Sequence, residues 1–542
     1  MRLPFRSHVP VAGLVLVLAA AAALFPGCSK VQAPENVVFI TLDTFRADHL
    51  GVLSGGRAAT PVLDGLAARG ILYENAWSPI PITLPAHKSI FYGRPPHVLE
   101  TYNNGQITAS RRDTPSFVQA FRKKGFDTAG FVSLGVLTRE YGTAEGFDHY
   151  DDRFPDERWY LTAEEVNRRV IPWLEARGGK PFFLWVHYSD PHDPYAPPDM
   201  PEDLALRING RPAAALCLND YARHAVELDL KAGENVLVFE VRNPFQSNPD
   251  RPAARLDEIR LRPGPETAGV SWEPGGRWIS FPGKTARFFK DGATIVLRAP
   301  SARKVTMEFF GQLFLPIPAT RTQYAREVEY LDGKIGELLA VLDRLGLRDS
   351  TAVIAVGDHG EGLGEFANEA GEPHCGHIKF LEKVYLHVPL IIALPGDRRA
   401  GIRRTEPVTL LDIAPTFRTL FGLDGLRDLP GRDLLSLPEG ASIPVFAETY
   451  RPESDRNRFA LYDGPWQMIL NPELGRHRMY NLSDNPAETK DLWDTEAVPP
   501  AVRIDFEKRL GDFARRILSE KTDASIDPKA EEMLRSLGYI GN

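Results

Sequence analysis

The sequence predicts an α/β fold, a mixed or largely parallel sheet with helices on both faces, carrying an inserted all-β domain and a small C-terminal subdomain. Three observations predict it. Continuous β-prone runs at 36–42, 128–132, 182–186, 352–356 and 388–393 alternate with helical patterns. Between about 201 and 314 the hydrophobic period falls to two and no helical pattern appears. Past Pro444 the chain becomes turn-rich, with short apolar runs ending in Leu537-Gly538-Tyr539.

The first element is an address. Arg2 and Arg6 precede an uninterrupted apolar stretch at 11–25, too short for a bilayer span of about 20 residues but suited to a signal-peptide core. It ends in Phe25-Pro26-Gly27-Cys28-Ser29, which resembles a bacterial lipoprotein signal with Cys28 as the lipidated first residue. Phe25 stands where such signals usually carry Leu, and a plain secretory signal is the alternative. Either reading places the mature protein outside the cytoplasm, and the lipoprotein reading anchors it to the bacterial cell envelope, periplasmic or facing the outer membrane.

Asn36–Leu42 follows as a strand buried on both faces. Thr60-Pro61 opens a helix through Leu63 and Leu66 that Gly70 ends, and Thr114-Pro115 opens another through Phe117, Val118 and Phe121 to Gly125. Tyr324, Val328, Leu331, Ile335, Leu338, Leu342 and Leu345 alternate spacings of four and three, the stripe of a long amphipathic helix. Inside the interruption, Val226, Leu228 and Leu230, then Val236 and Val238, Ile295 and Leu297, and Val305, Met307 and Phe309 recur every second residue, the pattern of a β-sandwich. Its aromatics (Trp272, Trp278, Phe281, Phe288, Phe289) have two readings, a sugar-binding platform or plain core filling. The expected division is therefore 1–28 signal, 34–200 with 315–440 as a discontinuous catalytic domain, 201–314 as the inserted sandwich and 441–542 as the C-terminal subdomain and tail.

Composition excludes several classes. With 43% hydrophobic and 25% charged residues in 542, the chain is globular and long enough for two to four domains. A net charge of −8 without a long basic run argues against nucleic-acid binding. Cys28, Cys217 and Cys375 are too few for a disulfide framework or a cysteine-rich zinc site.

Candidate chemistry gathers where strands end, the edge at which open α/β sheets bind ligands. One run ends at Asp43, in Asp43-Thr44-Phe45-Arg46-Ala47-Asp48-His49. Another leads through His187 and Asp190 to His192, and a third into Asp358-His359-Gly360-Glu361. A single aspartate after a strand is ordinarily a turn residue or a cap. Three such ends, two with histidine, instead suggest a site of carboxylates and imidazole for Ca²⁺, Mn²⁺ or Zn²⁺. Thr83-Leu84-Pro85-Ala86-His87 reads as a helix start with Thr83 as N-cap. The same hydroxyl, at a helix N-terminus and near a divalent ion, can serve as a nucleophile, with His87 touching the anion's oxygens.

The ordered motifs Asp43-Thr44-x-Arg46-Ala47-Asp48-His49, Ala59-Thr60-Pro61-x-Leu63-Asp64, Thr83-x-Pro85-x-His87, Asp190-Pro191-His192-x-Pro194-Tyr195, Asp358-His359-Gly360-Glu361 and Val388-Pro389-Leu390-Ile391 resemble the sulfatase family of the alkaline phosphatase superfamily. The resemblance covers about 36–200 and 319–492 and leaves out the β-rich stretch. It implies an α/β sandwich with a smaller C-terminal subdomain, an anionic ester substrate, possibly on a glycan or lipid, and metal ligands at Asp43, Asp358, His359 and Thr83, the last standing where the family keeps its nucleophile. His192 resembles the group that binds substrate oxygen or protonates the leaving group, and His377 stands where the family places a Lys or His on the transferred anion; His374 beside it is a weaker candidate.

The departures matter. Sulfatases carry Cys or Ser in Cys-x-Pro-x-Arg, converted to formylglycine; Thr83 cannot become that aldehyde, and the Arg is His87. The second aspartate is Thr44, and the Lys-x-His motif is missing from Phe131-Val132-Ser133-Leu134. An unmodified Thr nucleophile is what the lipoteichoic acid synthases, phosphoethanolamine transferases and nucleotide pyrophosphatases of the superfamily use. No second Asp-His-His set can be assembled, so the expectation is one metal ion, no formylglycine, and a hydrolase or transferase acting on phosphate, phosphonate or sulfate esters. The alternatives are a true sulfatase working without formylglycine and a non-catalytic, lipid-anchored glycan-binding protein.

Overall fold

The computed structural model describes residues 33–520 except 108–114, 156–157, 194, 199–202, 219–222, 242–252, 280–286, 314–316, 368–370, 372 and 452. The expected signal with Cys28, the terminal Leu537-Gly538-Tyr539, Thr114, Pro194 and Phe281 lie outside the described residues, as does the side chain of Phe288.

A nine-stranded mixed sheet organises the chain. Its strands are β1 (Asn36–Leu42), β2 (Ile71–Trp77), β3 (Asp127–Phe131), β4 (His149–Asp151), β5 (Phe182–Tyr188), β6 (Thr351–Gly357), β7 (His387–Ala393), β8 (Ile402–Arg404) and β9 (Val408–Thr409). They lie in the order β8-β2-β7-β6-β1-β5-β3-β4, with β9 also on β2. Only β7 runs against its neighbours. Alternation along β1 explains its unbroken apolarity. Val37 and Phe39 enter one core with Phe183, Trp185 and Ile354, while Val38, Ile40 and Leu42 enter the opposite core with Leu184 and Val353. The long helix Ile317–Arg344 covers the second face through Tyr324, Val328, Leu331, Ile335 and Leu338. Leu345, the last member of the expected stripe, falls beyond the helix and is exposed.

The interrupting segment builds two five-stranded antiparallel sheets around a core of its own residues, among them Leu228, Leu256, Ile295 and Met307. In the strand Gly233–Val241 the inward residues are Leu237 and Phe239, and Val236 and Val238 take the outer phase. Trp278 and Phe289 fill this core: their rings lie 5.1 Å apart, and Trp278 Nε1 donates to Thr294 O at 2.6 Å. Beyond it, Val445–Thr449, Arg458–Asp463, Trp466–Asn471 and Arg476–Asn481 form a four-stranded antiparallel meander. The helix Pro500–Glu520 packs on it through Phe506 and Leu510, in a core shared with Ile80, Ile82 and Ala86 beside Thr83. The helix expected after Thr114 spans Phe117–Lys124 and is capped by Ser116, whose hydroxyl accepts from Gln119 N at 3.2 Å.

Candidate active site

Register assembles the first part of the site. Leu42 pairs with Gly357 across β1 and β6, so the next residues, Asp43 and Asp358, leave the sheet side by side. Together with His359 they form a buried group whose ligand atoms all lie within 4.8 Å of one another. Backbone donors fix Asp358: its Oδ1 accepts from His359 N at 2.7 Å and Thr44 N at 3.2 Å. Thr44 reaches that position at φ 55°, a strained conformation for a β-branched residue. It is held there by its own hydroxyl on Asp43 O (2.7 Å) and by the Tyr324 hydroxyl on Thr44 O (2.7 Å). Gly360 is required next, because a Cβ there would stand 2.0 Å from Val384 O. Its carbonyl lies 3.0 Å from His359 Nδ1 and accepts that proton, which leaves His359 Nε2 with its lone pair toward the carboxylates.

Thr83 opens the helix Thr83–Tyr92 as its first residue; Ile82 is the N-cap, and no side chain caps this end from that position. The expected capping role is therefore replaced. The Thr83 hydroxyl turns away from the helix, 3.3 Å from Asp43 Oδ2 and 3.2 Å from His359 Nε2. Capping comes from elsewhere, since Leu84 N donates to Asn104 Oδ1 at 2.9 Å. Asn104 is clamped in turn by the buried Glu453 of the C-terminal subdomain, through Asn104 N at 2.7 Å and Nδ2 at 3.0 Å.

His87 corrects an expectation. It is fully buried, with Nδ1 2.8 Å from Thr83 O and Nε2 3.0 Å from Thr41 Oγ1. Both nitrogens face protein partners, so His87 braces the turn that carries Thr83 from beneath rather than pointing into the space an anion would occupy. His192 and His377 do converge on the site: their rings lie 5.1 Å apart, and the His377 ring is 4.6 Å from that of His359. His192 Nδ1 lies 2.7 Å from Asp193 O. Glu361 joins the two loops, with Oε2 2.9 Å from His377 Nδ1 and Oε1 accepting from the Tyr195 hydroxyl at 2.7 Å. His374 instead stands 3.2 Å from the Tyr385 hydroxyl, and Asp190 accepts from Ala163 N at 2.9 Å, capping a helix. Two groups named in the sequence carry no role there: Glu361, a motif letter, and His187, on the strand leading to His192, which places Nε2 3.3 Å from Asp43 Oδ2.

Burial sets the electrostatics. It pushes Asp358 well above the carboxylate range, reinforced by the charge of Asp43. Burial acts on Asp43 in the same sense, but there the neighbouring imidazoles of His187, His359 and His192 win and hold it far below. One proton is thus retained between two carboxylates. Burial also drives His359, His377 and His87 each down to about 3, and raises Glu361 to about 8. Near neutral pH, therefore, these three histidines are neutral and the Glu361–His377 pair carries no net charge.

A mixed α/β sandwich that collects carboxylates, imidazoles and one hydroxyl at a strand edge is the architecture of the alkaline phosphatase superfamily. Within it, this chain belongs to the sulfatase family: that family's profile, described as Sulfatase, matches residues 35–423. The chain is 24% identical over 516 residues to the N-acetylglucosamine-6-O-sulfatase of Bacteroides thetaiotaomicron, covering 88% of this chain and 87% of that protein. Among solved structures, the phosphonate monoester hydrolase of Agrobacterium radiobacter superposes with a TM-score of 0.57 at 18% identity, covering 89% of this chain and 96% of that one. A structure in complex with its substrate D-glucosamine-2-N,6-O-disulfate gives 0.58 at 16% identity, covering 92% and 100%. The protein is thus a sulfatase-family ester hydrolase, and the non-catalytic alternative is set aside.

Proposed function

We propose that this hydrolase cleaves phosphate or phosphonate esters with Thr83 as nucleophile and one divalent ion between Asp43, Asp358 and His359. The observation that carries the proposal is the Thr83 hydroxyl, turned off its helix to within 3.3 Å of Asp43 and 3.2 Å of His359. A threonine cannot supply the family's aldehyde, so attack falls to Oγ1 itself.

The donor set fits a cation. Asp43 Oδ1 and Asp358 Oδ2 are buried without a hydrogen-bond partner, and His359 Nε2 faces them at 3.7 and 3.4 Å. Two carboxylates and one imidazole suit Ca²⁺, Mn²⁺ or Zn²⁺. An ion held there supplies positive charge that offsets the carboxylates and lowers the pKa of a nearby hydroxyl. Thr83 Oγ1 then attacks phosphorus as its proton passes to Asp43 Oδ2, the oxygen it already faces at 3.3 Å, and the ester oxygen leaves with a proton from His192. Water, or an acceptor alcohol, breaks the phospho-threonine, giving its proton to His192 while Thr83 Oγ1 takes its own back from Asp43. His377, oriented by Glu361, holds a non-bridging oxygen.

A second reading, sulfate ester hydrolysis without formylglycine, is favoured by the sulfatase name of the Bacteroides relative. Incubation with aryl sulfate, aryl phosphate and aryl phosphodiester, followed by mass spectrometry of the Thr83 peptide, separates the two. Phosphoryl on Thr83 supports the proposal; sulfate release with an unmodified peptide and no phosphoesterase activity rejects it. We further propose that lipid on Cys28 anchors the protein in a bacterial envelope. A Cys28→Ser variant should then leave the membrane fraction or remain unprocessed, and a lipid-free wild type would reject the anchor.

A further inference from the structure

Among the described residues, His187 is the one histidine near the donor group that the proposed chemistry leaves without a task. It lies in β5 opposite Thr41 of β1, fully buried, with its ring 4.9 Å from that of His87. Its Nε2 is buried without a hydrogen-bond partner and stands 3.3 Å from Oδ2 of Asp43, one of the three candidate ligands. The opposite nitrogen settles the tautomer. Ser133 N donates to His187 Nδ1 at 3.3 Å, and the Ser133 hydroxyl stands 2.8 Å from the same atom. A backbone N–H can only donate, so Nδ1 accepts, and the proton of the neutral ring sits on Nε2, toward Asp43. The Ser133 hydroxyl is itself 2.8 Å from that of Ser189, which ties the end of β5 to the segment after β3. Ser133 falls in the stretch where the sulfatase Lys-x-His motif is missing, so in this chain that stretch serves the site by fixing His187.

We propose that His187 is a positioning residue for metal binding: its Nε2–H faces Asp43 Oδ2 at 3.3 Å and steers that oxygen so that Oδ1 is presented to the ion together with Asp358 and His359. His187 is not itself a ligand. It stands outside the group whose donor atoms lie within 4.8 Å of one another, and coordination through Nε2 would require the tautomer that the Ser133 N–H opposes. Contacts that orient a ligand in this way are typically worth about 10- to 100-fold in metal affinity. The inference rests on the metal site proposed above.

The test uses Mn²⁺ or Zn²⁺ alone, titrated into the metal-free full-length protein against a chelator, with no substrate. His187→Gln places an amide N–H near the position of Nε2 and should bind within about threefold of wild type. His187→Leu removes the donor and should bind about 10- to 100-fold more weakly. His187→Asn, polar but too short to reach Asp43, should match Leu and replaces it if Leu does not fold. Equal weakening by Gln and Asn, or wild-type affinity in Leu or Asn, overturns the proposal. Wild type that binds neither ion fails the metal site itself, a result distinct from any ranking of the variants.

Discussion

Replacing Thr83 tests the nucleophile directly, and the structure sets the scale. In Thr83→Ala the oxygen at 3.2–3.3 Å from His359 and Asp43 disappears, and no neighbouring hydroxyl takes its place. Thr44 Oγ1 is turned to Asp43 O at 2.7 Å, and Thr41 Oγ1 is taken by Trp185 Nε1 at 2.9 Å and His87 at 3.0 Å. Loss of a nucleophile held this way should lower kcat by about 10³-fold or more, roughly 4 kcal/mol of barrier, while the metal donors remain. Thr83→Ser keeps the oxygen but loses a buried methyl group, about 1 kcal/mol of stability, and the stiffness of a β-branched χ1. With three staggered wells open, the hydroxyl occupies the reactive one about a third of the time, so kcat should fall about three- to tenfold. The assay is steady-state release from an aryl phosphodiester, with metal content measured on the same samples and the adduct mapped by mass spectrometry. Turnover by Thr83→Ala above about a tenth of wild type, or an adduct on another residue, would refute the reasoning.

Asp358→Asn should fold normally and lose the ion. The asparagine Oδ1 still accepts from His359 N and Thr44 N, and burial already favours an uncharged side chain there; unchanged metal content by elemental analysis would count against the ligand role. Glu453→Gln should flatten the pH dependence of stability. Burial raises Glu453 to about 7 from 4.5, so its neutral form is favoured on folding, and wild type should lose up to about 3 kcal/mol as pH rises from 4.5 through 7. Urea unfolding at pH 5 and pH 8 checks this, and an equal pH slope in the variant would remove Glu453 as the cause. Leu256→Ala, in the sandwich core, should destabilise the insert by about 2–5 kcal/mol and leave turnover of a small aryl ester intact below the insert's own melting; loss of that turnover in the cold would show that the insert supports the site.

The candidate ligands were legible because each follows a strand whose apolar run is unmistakable, and the parallel register of β1 with β6 puts Asp43 beside Asp358 without further help. β2 was not legible, since Glu74 and Asn75 interrupt its pattern; its pairing with β7 and β8 decides the matter. Thr83 read as a cap because threonine usually is one, and the cap it would have supplied comes from Asn104, which is adjacent only after folding. His87 misled for a related reason. One helical turn fixes its distance from Thr83 but not which side it faces, and packing against Thr41 and Trp185 turns it inward. His187 was visible as a residue but not as a role, because that role depends on Ser133 and Asp43, which lie on other strands or beyond them.

Charge at the site bears on which ester fits. The groups around the Thr83 hydroxyl are Asp43, Asp358 and His359, with His87 and His187 behind them, and none is an arginine or lysine. Arg46, the nearby guanidinium at the end of β1, is committed to Asp48 at 2.8 Å and Glu365 at 2.7 Å. His359 and His377 are held neutral by burial. A divalent ion would balance the two carboxylates once Asp358 ionises, leaving about zero net charge to meet the substrate. A dianion brought into so buried a site would retain most of its desolvation penalty, whereas a monoanion retains far less. Monoanionic esters, such as an aryl phosphonate monoester or an aryl phosphodiester, should therefore exceed an aryl phosphate dianion in kcat/KM, by about tenfold for each 1.4 kcal/mol of unbalanced charge. The comparison belongs at pH 8, where the monoester carries both charges, and at pH 5, where it carries one. The preference should narrow at the lower pH once each rate is referred to that of the diester. A dianion preferred at pH 8 would mean that positive charge reaches the substrate from a group outside this set.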